Sequence, residues 1–176
     1  MTVNLSPEQL KHSTIVKIID EITNTHESYR GRIALEVTED AVVDERYQMT
    51  AKLQELRTAG FKILLDDFGT GNASIGRLRR FSFDSIKIDR SLIANLGDNK
   101  ADLAIVRSIL LLADSLDVTV IAEGVETRDC LDILASEGCR YAQGYYFGRP
   151  MPLDQTIDLI SQRRETSTLA QIISPV

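Results

Sequence analysis

The chain has 176 residues, 43% of them apolar, enough for one domain with a real hydrophobic core. No uncharged apolar run approaches the roughly 20 residues that a membrane-crossing helix needs, so no membrane segment is expected. The net charge of −6, from 26 acidic against 20 basic residues, argues against duplex nucleic acid as a partner, because that affinity comes from Lys and Arg on phosphates.

Short β-branched or apolar runs alternate with helical patterns. Strands are predicted at residues 3–5, 33–38, 62–66, 85–88, 118–122 and 143–147. After the first, Ser6-Pro7-Glu8-Gln9 reads as a capped helix start with Pro at the first helical position and Gln three beyond the Ser, opening a helix to about residue 25. A helix over 44–59 carries Leu53 and Leu56 on one face and stops at Gly60. A shorter helix is expected over 74–80. Helices over 100–116, 127–137 (stopped by Gly138) and 153–164 complete the series. Residues 1–164 form one domain in this reading, and 165–176 are a Ser/Thr-rich tail.

Strand runs such as Ile63-Leu64-Leu65 and Val118-Thr119-Val120-Ile121 do not alternate cleanly, as expected of a parallel sheet covered by helices. The class is α/β. Gly-x-Gly-x-x-Gly is absent after the first strand, which disfavours a doubly wound nucleotide fold. A (β/α)₈ barrel fits better, since polar groups end several strands and barrel enzymes build their sites there. Six units are present where eight are needed, and such barrels usually take about 250 residues. The expectation is therefore an incomplete TIM-like barrel lacking its first two strands.

The strand ends collect Glu36, Glu39, Asp66, Asp67, Lys87, Asp89, Glu123, Glu126 and Gln143. Adjacent carboxylates raise one another's pKa unless a cation neutralises them. Asp66-Asp67 therefore reads either as a solvated turn or as part of a metal centre, the second favoured by acidic groups at three other strands. With only His12 and His26 present, any metal must sit on oxygen, which favours Mg²⁺, Mn²⁺ or Ca²⁺. Lys87, between two isoleucines, is either an edge lysine or an interior ammonium needing carboxylate partners. The Gly69–Ser74 loop is either a ligand contact or a simple turn, and Tyr145, Tyr146 and Phe147 could stack on a base, though at least one of the three is expected in the core. Cys130 and Cys139 form no Cys-x-x-Cys pair, and the N-terminus lacks a signal peptide's order, so reduced thiols and a cytoplasmic location are expected.

Taken together, Val3-Asn4-Leu5-Ser6, Leu35-Glu36-Val37-Thr38-Glu39, Leu65-Asp66-Asp67-Phe68-Gly69-Thr70-Gly71, Ile86-Lys87-Ile88-Asp89, Ala122-Glu123-Gly124-Val125-Glu126 and Gln143-Gly144-Tyr145-Tyr146-Phe147-Gly148-Arg149-Pro150 resemble the EAL-domain family of cyclic di-GMP phosphodiesterases. The resemblance implies a TIM-like barrel that opens cyclic di-GMP to linear pGpG with two Mg²⁺ or Mn²⁺ ions. It implies metal ligation by Asn4, Glu36, Asp66, Asp67 and Glu123, with Glu123 as second-metal ligand or general base. Lys87 orients the water or phosphate, Glu126 and Gln143 line the pocket, and Glu39 anchors the loop carrying Gly69, Thr70 and Gly71, which couples the metal site to a dimer interface. GGDEF, PAS or receiver domains are common companions in this family.

The chain departs from the family pattern in having no Glu-Ala-Leu motif, whose Glu is a first-metal ligand. Two functions follow. One is an EAL phosphodiesterase fragment with impaired activity. The other is an inactive module that binds cyclic di-GMP or a partner protein. Loss of barrel strands exposes edges, so a homodimer or element-swapped oligomer is expected.

Overall fold

The computed structural model describes residues 1–24, 32–39, 41, 49–69 and 83–165. The helix expected over 74–80 lies outside these, as do Thr70, Gly71 and residues 166–176. Among the described residues six strands form one sheet: β1 Thr2–Asn4, β2 Ala34–Thr38, β3 Lys62–Phe68, β4 Ser85–Ile88, β5 Thr119–Ala122 and β6 Tyr141–Ala142. All neighbours are parallel and the spatial order is the chain order. A doubly wound sheet would reverse its order at a switch point, whereas strands always added on one side follow a barrel wall. The sheet is not closed, and β1 and β6 are its edges.

The helices among the described residues are α1 Pro7–Lys11, α2 Ile15–Asn24, α3 Met49–Thr58, α4 Arg90–Ile93, α5 Lys100–Ser115, α6 Arg128–Ser136 and α7 Leu153–Glu165. Leu35, Val37, Ile63, Leu65, Ile86, Ile88, Val120 and Ala122 pack with Leu53 and Leu56 of α3, Val106 and Ile109 of α5 and Leu134 of α6. Burial of each such aliphatic side chain contributes about 1.5–3 kcal/mol. Alternate strand positions face the other way. Leu64 and Ile121 are buried yet stand apart from the helix-side cluster. By register they share levels with Glu36 and Lys87, and they form an apolar floor on the face that carries the polar strand residues.

Three elements differ from expectation. The helix predicted from residue 6 to about 25 is broken at His12, whose backbone is extended. Its start is as read: Ser6 Oγ accepts from Gln9 N at 3.2 Å and Gln9 Oε1 accepts from Ser6 N at 2.9 Å. The break is held by a distant residue, since the Lys52 ammonium of α3 donates to the carbonyls of Leu10 at 2.6 Å and Lys11 at 2.9 Å. A cation on the last carbonyls ends α1 where local propensity would continue it.

The strand expected at 143–147 is instead β6 at Tyr141–Ala142 followed by a turn. Tyr146 N–H donates to Val125 O at 3.0 Å and Phe147 N–H to Gly144 O at 3.1 Å, which folds the chain back. Tyr145 and Tyr146 are both exposed, and Phe147 is the one that packs on the core.

The short α4 was not expected. Asp89 caps it, accepting from Ser91 N at 2.9 Å. Burial works to raise the Asp89 pKa, but hydrogen bonds from Ser91 outweigh it and hold the carboxyl below its ordinary range. Asp89→Ala is expected to lower stability by about 1 kcal/mol at neutral pH. A depressed pKa contributes stability above the unfolded value and loses it as pH falls through the folded one, so the difference from wild type shrinks in acid. Urea midpoints of both proteins from neutrality into that range check it. Among the described residues no helix is long and apolar enough to cross a membrane.

Candidate metal centre

The centre begins with an irregularity in β3. Leu65 pairs with Ile86 and Phe68 with Ile88, so β3 spends one more residue than β4 over the same stretch, a β-bulge. Asp67 takes up the extra residue with φ 56°, a left-handed conformation that Asp tolerates better than most residues. Consecutive strand side chains normally point to opposite faces. Here Asp66 and Asp67 each bring a carboxylate oxygen within 4.8 Å of the other and of a Glu123 oxygen.

Lys87 stands under this group on β4, 4% exposed. Its ammonium lies 2.8 Å from Glu36 Oε2, 3.1 Å from Asp66 Oδ1 and 2.5 Å from Glu123 Oε1. Of the two readings the sequence allowed, the interior one holds, with carboxylates as partners. Gln143, just past β6, donates its amide N–H at 2.6 Å to Glu123 Oε1, the same oxygen that the Lys87 ammonium contacts. Asp66 Oδ1 also accepts the Asp67 backbone N–H at 3.1 Å.

The electrostatics follow from burial and crowding. Burial and then the Asp66 and Asp89 charges push the Asp67 pKa up, against the pull of Lys87. Burial raises that of Glu123, opposed by Lys87. For Lys87 burial favours the neutral amine, but the hydrogen bonds to Glu123 and Glu36 prevail and hold the ammonium far above its ordinary range. Three carboxylates, Glu36, Asp66 and Glu123, share one ammonium, and Asp67 adds a fourth beside Asp66 and Glu123. An all-oxygen donor set with residual negative charge fits hard divalent cations.

The other expected site residues fall at varied places. Asn4 ends β1 in register with Glu36 but is exposed at the sheet edge, and Glu126 is exposed beyond β5. Glu39 is buried just after β2. Gly69 lies against Leu92 of α4, while Thr70 and Gly71 are outside the described residues. Gly144 was not singled out, yet it lies where Gln143 leaves the sheet and crosses the Val125 backbone. The only sequence signal was a glycine directly after a strand-end polar residue.

An open run of parallel strands with carboxylates and a lysine at their C-terminal ends is the arrangement in which TIM-like barrels build their sites. The EAL domain family profile matches residues 1–150, and the chain belongs to that family. Over 121 residues, 69% of this chain and 16% of the relative, it is 42% identical to the cyclic di-GMP phosphodiesterase NbdA of Pseudomonas aeruginosa. The PaMucR phosphodiesterase, solved in complex with c-di-GMP, superposes with a TM-score of 0.83 at 36% identity, over 88% of this chain and 63% of that one. BlrP1 of Klebsiella pneumoniae, solved with cyclic di-GMP and manganese, superposes at 0.79 and 35% identity, over 85% of this chain and 38% of that one. The chain thus spans well under a third of the length of the curated relatives it matches.

Proposed function

We propose that this chain carries the centre of a cytoplasmic cyclic di-GMP phosphodiesterase that yields linear pGpG. The observation that carries the reading is the convergence of Asp66, Asp67 and Glu123 oxygens within 4.8 Å beside the Lys87 ammonium. Residues 1–164 act as the domain and 165–176 as its tail. Asp66, Asp67 and Glu123, with Asn4 and Glu36, would hold two Mg²⁺ or Mn²⁺ ions. When bound, such ions make a water nucleophilic at neutral pH and neutralise charge on the phosphate.

In the reaction, a water oxygen bonds to phosphorus and the P–O3′ bond breaks, O3′ leaving with the bonding pair and taking a proton from solvent, to give a 5′-phosphate and a 3′-hydroxyl. Glu123 takes the water's proton on a carboxylate oxygen. Lys87 orients the water or a phosphate oxygen, and Gln143 holds Glu123 in its rotamer. Gln143 and Glu126 line the nucleotide pocket, while Glu39 anchors the loop of Gly69, Thr70 and Gly71. Without a Glu-Ala-Leu glutamate the chain turns over more slowly than a chain that has one. The sheet edges β1 and β6 suit a homodimer or an element-swapped assembly.

Chromatography of cyclic di-GMP incubated with the chain and Mn²⁺ or Mg²⁺ is expected to show pGpG, and a chelator is expected to suppress it. Nucleotide that binds but stays intact with either metal would favour the non-catalytic module. Neither binding nor turnover would overturn both readings.

A further inference from the structure

Lys87 is placed unlike a group that serves only substrate. Its ammonium touches Glu36 of β2, Asp66 of β3 and Glu123 just after β5 at once, at 2.8, 3.1 and 2.5 Å. It sits on the apolar floor made by Leu64 and Ile121, where uncompensated carboxylates would be costly. Two of its partners, Asp66 and Glu123, also belong to the triad whose oxygens lie within 4.8 Å of one another. The same carboxylates therefore face one fixed internal cation and one possible external one.

We propose that Lys87 is the resident counter-ion of the metal-free protein: it holds the strand-end carboxylates together so that folding does not require metal, and it lowers the affinity for the incoming divalent cation with which it shares Asp66 and Glu123. This inference rests on the metal reading given above. In it Lys87 acts on the metal through the carboxylates, as a positioning residue, whatever it does to substrate. Two consequences have opposite signs. Removing the ammonium destabilises the metal-free fold, because repelling carboxylates lose their common partner. It also strengthens metal binding, because a positive charge beside the ions is gone. A merely structural lysine would give the first effect without the second, since a damaged fold binds metal less well.

The test compares the full chain with its Lys87→Met variant by thermal unfolding in chelator and in Mn²⁺, and by titration of Mn²⁺ with free ion followed by electron paramagnetic resonance. In chelator the variant is expected to melt about 10 °C lower. With Mn²⁺ that gap is expected to close, and the variant is expected to bind Mn²⁺ at least about tenfold more tightly. If Lys87→Met does not fold in chelator, the double variant Lys87→Met with Glu123→Gln, which has one fewer carboxylate to neutralise, is expected to fold there. Failure of that variant to fold overturns the proposal. Mn²⁺ binding by wild type together with equal or weaker binding by Lys87→Met overturns the proposal and leaves the metal reading intact. No Mn²⁺ binding by either protein overturns the metal reading and the proposal with it.

Discussion

Replacing Asp66 with Asn is expected to cut cyclic di-GMP turnover by about a thousandfold while leaving the fold in place. The carboxylate is shared by three features of the centre: it accepts the Asp67 N–H, contacts the Lys87 ammonium and contributes to the oxygen triad. Asn keeps an oxygen for the Asp67 N–H, so the bulge retains its local hydrogen bond. It loses the charge that a divalent ion needs. Initial rates of pGpG formation measure the loss, and a urea midpoint beside wild type separates it from unfolding. Turnover within about tenfold of wild type would place the chemistry away from β3.

The second large effect is structural. A methyl group added at Gly144 would fall on the backbone oxygen and nitrogen of Val125, groups that no rotamer change can move. Gly144→Ala is expected to destabilise the chain by about 3 kcal/mol. It should also impair the centre, since Gln143, the immediate neighbour, holds Glu123 through a 2.6 Å hydrogen bond. Gly138 provides the control. It too has positive φ, 84°, but nothing lies within 4 Å of an added Cβ, so Gly138→Ala is expected to lose only about 1 kcal/mol of backbone strain. Equal urea midpoints for the two variants would rule out the Val125 clash as the cause.

Much of the centre was legible because strand-end chemistry is written in consecutive residues. Ile86-Lys87-Ile88 marks a lysine on the face opposite two core side chains by period-two alternation, while the choice between an edge and an interior lysine is made by the packed sheet, which buries it. The Ser6 capping box is likewise a local pattern, and it formed as read. The break after Lys11 was not legible, because Lys52 supplies it from 41 residues away. The turn at 143–147 depends on the Val125 carbonyl, which a reading of local β-propensity does not contain.

By itself the sequence determined the α/β class, the number and order of the strands and the set of carboxylates at the strand ends, since these depend on hydrophobic periodicity and residue type within short windows. Only the tertiary structure decided that Asp66 and Asp67 share a side. That outcome requires the register of β4 against β3, the bulge this register forces and the positive φ of Asp67 that absorbs it. Register is a relation between strands, so one strand's residues cannot state it. The same holds for Lys87: its charge is in the sequence, but its three partners come from β2, the end of β3 and the residue after β5, and only the packed sheet brings them to one ammonium.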